Sequence, residues 1–149
     1  MNINEKVKTH FEYLGYGFIP DQEKVIAMKP GIPTLELIPF TSNQLIVGGM
    51  YPYNQNAGNN EVGFLRYINK LNLESLLTTF SMWEGHLHFY AAYTGAYDRV
   101  AFGQFIQNYE DDITNLLIKQ DGTKQYIKSD QPQIDSDLYN LFEDVKCLA

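Results

Sequence analysis

Residues 64–117, FLRYINKLNLESLLTTFSMWEGHLHFYAAYTGAYDRVAFGQFIQNYEDDITNLL, decide the fold. Phe64, Ile68 and Leu71 recur on one helical face with Leu65 beside them, and that helix closes in Ile68-Asn69-Lys70-Leu71-Asn72. Residues 76–83 and 86–93 read as the two strands of a tight hairpin turning at Glu84-Gly85. Gly95 breaks the second strand, and a helix begins near Asp98. Its apolar stripe is Phe102, Phe105, Ile106, Tyr109, Ile113, Leu116 and Leu117, with a period of about 3.6. A helix, a hairpin and a long amphipathic helix in that order close an antiparallel sheet with a helix packed across it.

Upstream, Ile3, Val7, Phe11 and Leu14 lie at helical spacing, Asn2 or Asn4 can cap the start, and Gly15 and Gly17 end the helix. Residues 23–28, 34–40 and 44–50 read as three strands, separated by Lys29-Pro30-Gly31-Ile32-Pro33 and Thr41-Ser42-Asn43. Connections this short imply antiparallel hairpins. YPYNQNAGNN, residues 51–60, is a loop by composition, and Asn59 or Asn60 caps the helix that follows. The expected fold is therefore α+β, an antiparallel sheet in α-β-β-β-α-β-β-α order with helices on one face. Residues 1–120 make a single domain. Asp121-Gly122 and the polar run to Gln133 read as a connector, after which Ile134, Leu138, Leu141, Phe142 and Val145 mark a short amphipathic helix in an acidic tail, residues 121–149.

The chain is 149 residues long, enough to bury an ordinary core, and 44% hydrophobic with 19% charged, a globular composition. No apolar run reaches membrane-span length, and the start MNINEKVKTH is polar, so neither a span nor a signal peptide is read. The single Cys147 leaves no internal disulfide, which makes the cytoplasm the expected compartment. A formal net charge of −7 repels phosphate backbones and disfavours nucleic-acid and anionic-membrane partners. Residues 129–149 hold Asp130, Asp135, Asp137, Glu143 and Asp144 against Lys146 alone, in the plainer reading a solvated acidic tail, in the other an acidic docking segment. Eleven tyrosines and nine phenylalanines raise the expectation of an association surface, because tyrosine pairs an apolar ring with a hydroxyl that tolerates water.

The order of elements from Val7 to Leu117 resembles the YbjN family, which shares the fold of the type III secretion chaperones. The resemblance also rests on the doubled asparagine of Ile68-Asn69-Lys70-Leu71-Asn72 and on the hairpin Thr78-Thr79-Phe80-Ser81-Met82-Trp83-Glu84-Gly85-His86-Leu87-His88-Phe89, whose Glu84-Gly85 matches the family's acidic-Gly turn. It implies a small, acidic, cytoplasmic, non-enzymatic protein that works by binding other proteins, in the chaperones usually as a homodimer holding an extended client segment. It brings no catalytic residue with it. Asn69 and Asn72 share a helix face at the exit into a strand, where asparagine bonds nearby backbone groups, a structural role.

Candidate chemistry is sparse. His86-Leu87-His88 sets two imidazoles on one strand face, the pattern of a metal-dependent enzyme, but such a site needs about three protein ligands and Phe89-Tyr90-Ala91-Ala92 supplies none. The third histidine is His10. No Gly-x-Ser-x-Gly elbow surrounds Ser42, Ser75, Ser81, Ser129 or Ser136, and Cys147 reads as an unremarkable tail thiol. Gly48-Gly49 belongs to no phosphate-binding loop and reads as a relaxed strand end or bulge. Glu110-Asp111-Asp112 reads as a solvated helix face rather than a calcium site. No catalytic residue, cofactor or metal is assigned.

Strict alternation puts His86, His88 and Tyr90 on one side of their strand and Leu87, Phe89, Ala91 and Tyr93 on the other. With helices over the Leu87 side, the first set stays open. Trp83, His86, His88 and Tyr90 are thus the expected partner-binding residues, on a homodimeric protein-binding module. The alternatives are the metal-dependent enzyme through His86 and His88, and an acidic accessory or immunity-type protein that neutralises a basic partner.

Overall fold

Asn4 starts the first helix by accepting the Lys6 N–H on its side chain at 2.8 Å, and the helix, α1 (Glu5–Tyr13), runs until Gly15 turns the chain at a φ of 97°. A computed structural model describes residues 4–19, 24–41 and 43–128 of the chain. After α1 come the strands β1 (Gly17–Ile19), β2 (Val25–Lys29), β3 (Ile32–Thr41) and β4 (Gln44–Pro52), then the helices α2 (Gln55–Asn59) and α3 (Glu61–Glu74). The hairpin β5 (Thr79–Trp83) and β6 (His86–Thr94) leads into α4 (Arg99–Asp112), a π-helical segment (Ile113–Ile118) and α5 (Asp121–Tyr126).

The strands form one six-stranded sheet in the order β1-β2-β3-β4-β6-β5, antiparallel throughout. The meander and the later hairpin join through β4 and β6, paired over their whole lengths from Gln44 with Thr94 to Pro52 with His86. The β5–β6 turn is made by Glu84 and Gly85, at φ 48° and 77°, the left-handed pair that matches a two-residue hairpin to strand twist.

The described helices pack on one face, as the order of elements predicts. Val7 and Phe11 of α1, Phe64, Tyr67, Ile68 and Leu71 of α3, and Phe102, Phe105, Ile106 and Tyr109 of α4 are buried in one cluster with Leu35, Leu37, Leu45, Val47, Phe80, Leu87, Phe89 and Ala91 of the sheet. Side chains of Leu and Phe size each contribute about 1.5–3 kcal/mol when fully buried. The helix caps fall at Asn60 and Asp98, whose side chains accept from Gly63 N–H at 3.1 Å and Ala101 N–H at 3.4 Å.

Several local expectations are corrected. Residues 17–19 add an edge strand where Gly17 was read only as a helix stop, Gly17 pairing with Met28 and Ile19 with Ile26. Residues 55–59, read as loop, form α2, because Asn54 accepts from Asn56 N–H while the Asn54 and Asn56 side chains donate to the Gln125 carbonyl at 2.7 and 3.0 Å. Residues 121–126, read as connector, form α5, with Thr123 and Tyr126 buried and Tyr67 hydrogen-bonded to Thr123. Tyr126 lies against Phe64 and Tyr67 at ring separations of 5.5 and 5.7 Å, Ile127 bridges Tyr53, and Lys128 N–H bonds to the Pro52 carbonyl at 3.0 Å. The last turns of the long helix are π-helical, with Lys119 N–H reaching back to Thr114 O at 3.1 Å. The amphipathic pattern at Ile134–Val145 and Cys147 lie outside the described residues.

Glu110-Asp111-Asp112 is not a solvated face. Asp112 is buried and accepts the N–H groups of Leu76, Leu77 and Thr78 at 2.8, 3.0 and 2.9 Å. Glu110 is ion-paired with Lys29 at 3.0 Å and accepts from the Tyr16 hydroxyl at 2.8 Å. The run therefore ties α4 to the entry of β5 and to β2.

Candidate functional site

The second face of the sheet carries no described helix, and the registers fix what it presents. On β6, Leu87, Phe89 and Ala91 point into the core and His86, His88 and Tyr90 point away from it. Cross-strand pairing sets Trp83, Ser81 and Thr79 of β5 beside His86, His88 and Tyr90. On the other side the same residues meet Pro52, Met50 and Gly48 of β4. The row continues across the sheet from Gly48 to Glu36 and on to Ile26, which pairs with Ile19. The three residues singled out by alternation, His86, His88 and Tyr90, thus share one face with Trp83.

Large apolar side chains on this face reach solvent. Trp83 is 66% exposed, Tyr90 41%, Met50 39% and Ile38 37%. Ile19, Ile26 and Met28 form a small hydrophobic cluster of their own, separate from the main core, at the far end of the same face. The period-two pattern of β2 announces Ile26 and Met28, but the three-residue strand that brings Ile19 beside them carries too short a signal to be read.

Gly48 shapes the middle of the face. A Cβ there would stand 2.6 Å from the Phe89 carbonyl oxygen and 2.9 Å from the Tyr90 Cβ, so only glycine lets β4 run this close to β6 beside the Tyr90 ring. It is a site of close backbone approach, neither bulge nor strand end. The face also carries Glu36, which pairs with Lys24 at 3.7 Å.

His86 and His88 have ring centroids 6.3 Å apart at 64°, and His86 Nδ1 lies 2.9 Å from the Glu84 carbonyl oxygen. Among the described residues no group of three or more His, Cys, Asp and Glu side chains comes together in a way that holds a metal ion. The pair presents two imidazoles beside an indole and a phenol, groups that can hydrogen-bond and stack. No helix among the described residues is long and apolar enough to cross a membrane.

No family model matches the chain, and no curated protein does. Solved structures share its fold. YbjN of E. coli, a candidate transcription regulator, superposes with a TM-score of 0.64 at 14% identity, covering 83% of this chain and 93% of that one. An uncharacterised protein from Methanothermobacter thermautotrophicus superposes with a TM-score of 0.57 at 10% identity, covering 76% of this chain and 93% of its own. The chain has a YbjN-like fold.

Proposed function

We propose that this protein is a non-enzymatic, cytoplasmic protein-binding module that receives an extended segment of a protein partner on its open sheet face. The observation that carries this reading is a sheet covered by helices on one side and left with Trp83, Tyr90, Met50 and Ile38 facing solvent on the other. An aromatic cluster with polar tips, a glycine dip beside it and a second apolar cluster at the far end give a segment alternate pockets along its length. The YbjN-like fold supports a binding role by analogy, and a chaperone-like homodimer in the manner of the type III secretion chaperones is part of the proposal. The acidic charge of the whole chain disfavours basic-face mismatches less than acidic ones, so the expected client is neutral or basic.

The test is a comparison of the wild-type chain with Trp83→Ala/Tyr90→Ala as bait in host lysate, followed by calorimetric titration of any retained protein. Neither side chain belongs to the buried core, so the variant should keep its thermal midpoint. A partner held by the wild type and lost by the variant at equal stability supports the reading. Equal capture by both places the interaction elsewhere, and sedimentation of the wild type as a monomer removes the dimer.

A further inference from the structure

A cleft of about 420 Å³ lies between α1 and the start of α4, where Lys6, His10 and Tyr13 of α1 face Tyr97 and Arg99. Its floor is fixed. His10 Nδ1 and the Tyr97 hydroxyl are 2.8 Å apart, and the His10 ring stands edge-on to Tyr97 and to Phe102, at 5.9 and 5.1 Å between centroids. The loop bearing Tyr97 is pinned by Tyr93, whose hydroxyl donates to the Ala96 carbonyl and accepts from the Asp98 N–H, each at 3.2 Å.

The charges of this cleft run against those of the chain. Among the described residues neither the Lys6 ammonium nor the Arg99 guanidinium has an ion-pair or hydrogen-bond partner, in a protein with 18 acids and 11 bases. Among the described residues Glu5 is the one carboxylate in the lining. Arg99 is the first residue of α4, where a cation opposes the helix dipole, and the N-cap Asp98 beside it turns its carboxylate to the Ala101 N–H. Tyr13, at the rim, is 79% exposed among the described residues. Burial first, and then the nearby Arg99, hold His10 below the ordinary histidine value.

We propose that this cleft binds a small organic anion, its carboxylate or phosphate held by Arg99 and Lys6 and its flat apolar body packed on Tyr13 and Tyr97. Arginine grips such groups through two parallel N–H donors, and a cleft of a few hundred Å³ with few polar groups suits a ligand of that size. This site is on the helical side of the molecule and is independent of the sheet-face reading.

The test follows the His10 ring signals by NMR in the full chain, titrated with benzoate and with phenyl phosphate. The expected result is a saturable shift with at least one probe, the tighter one naming the anionic group. Arg99→Gln and Lys6→Gln should each weaken binding about tenfold or more, while Arg66→Gln, removing the chain's other arginine on α3, leaves it unchanged. Bound anion should also move the His10 titration upward by offsetting Arg99. No saturable shift with either probe overturns the proposal. So does equal weakening by Arg99→Gln and Arg66→Gln, which reports general charge rather than a site.

Discussion

Asn72 and Phe80 are joined by a closed pair of hydrogen bonds, Asn72 Nδ2 donating to the Phe80 carbonyl and Phe80 N–H donating to Asn72 Oδ1, each at 2.8 Å. Both Phe80 backbone groups are turned away from β6, on the free edge of the sheet, so the amide of a helix side chain stands where a further strand would. Asn72→Ala should destabilise the protein by about 1–3 kcal/mol in chemical denaturation, since two backbone groups lose their partners. Asn69→Ala, exposed on the same helix, should change stability by less than about 0.5 kcal/mol.

Asp112 supports the same edge one step earlier. Removing its carboxylate leaves the N–H groups of Leu76, Leu77 and Thr78 without an acceptor, one of them buried. Asp112→Ala should lose about 3 kcal/mol or more, and Asp112→Asn, which keeps one acceptor oxygen, should recover part of that. Equal unfolding midpoints for wild type and Asp112→Ala would refute the role.

The hairpin turn holds a correctable strain. Glu84 sits at a φ of 48°, a conformation that glutamate adopts at a cost and asparagine adopts readily. Glu84→Asn should therefore raise stability by about 0.5–1 kcal/mol, read as a higher thermal midpoint. Gly85→Ala, at a φ of 77°, should lower it.

Alkali should unfold the protein through its buried phenols. Burial pushes Tyr51 and Tyr67 up to about 12, against an opposing hydrogen bond from Thr123 in the case of Tyr67, and pushes Tyr16 and Tyr109 up as well. The raised folded-state values mean that this stabilisation is complete below the unfolded value of about 10 and is lost as pH rises through the folded value. Circular dichroism should therefore show cooperative unfolding at alkaline pH, coincident with a step in phenolate absorbance. At acid pH His10 acts in the opposite sense: its lowered value means that its contribution is complete above about 6.5 and is lost as pH falls through the folded value.

What could be read from the chain was what repeats. The stripe from Phe102 to Leu117 and the alternation of Leu87, Phe89 and Ala91 with His86, His88 and Tyr90 are long enough to define both the helix-covered face and the open one. Glu84-Gly85 announced its turn because the backbone there demands left-handed residues. What escaped was held by tertiary contacts alone. Nothing local marks QNAGN as a helix, since Asn54 and Asn56 bond to a carbonyl some seventy residues away in sequence. Asp112 looks like its neighbour Asp111 until three distant N–H groups converge on it. The cleft was hidden for the same reason, because Lys6 and Arg99 come to line one cleft only once the chain has folded.

The closing of α5 over the end of β4 carries a consequence for biosynthesis. Tyr126 and Ile127 complete a ring cluster begun by Tyr53, Phe64 and Tyr67, and Lys128 ties off the last residue of β4. A nascent chain thus holds the meander and α3 with one wall of their core missing until residues 121–128 have emerged from the ribosome. Its consolidation therefore follows the emergence of the meander and α3, and a ribosome stalled before Tyr126 displays the unfinished aromatic pocket to whatever chaperone attends it.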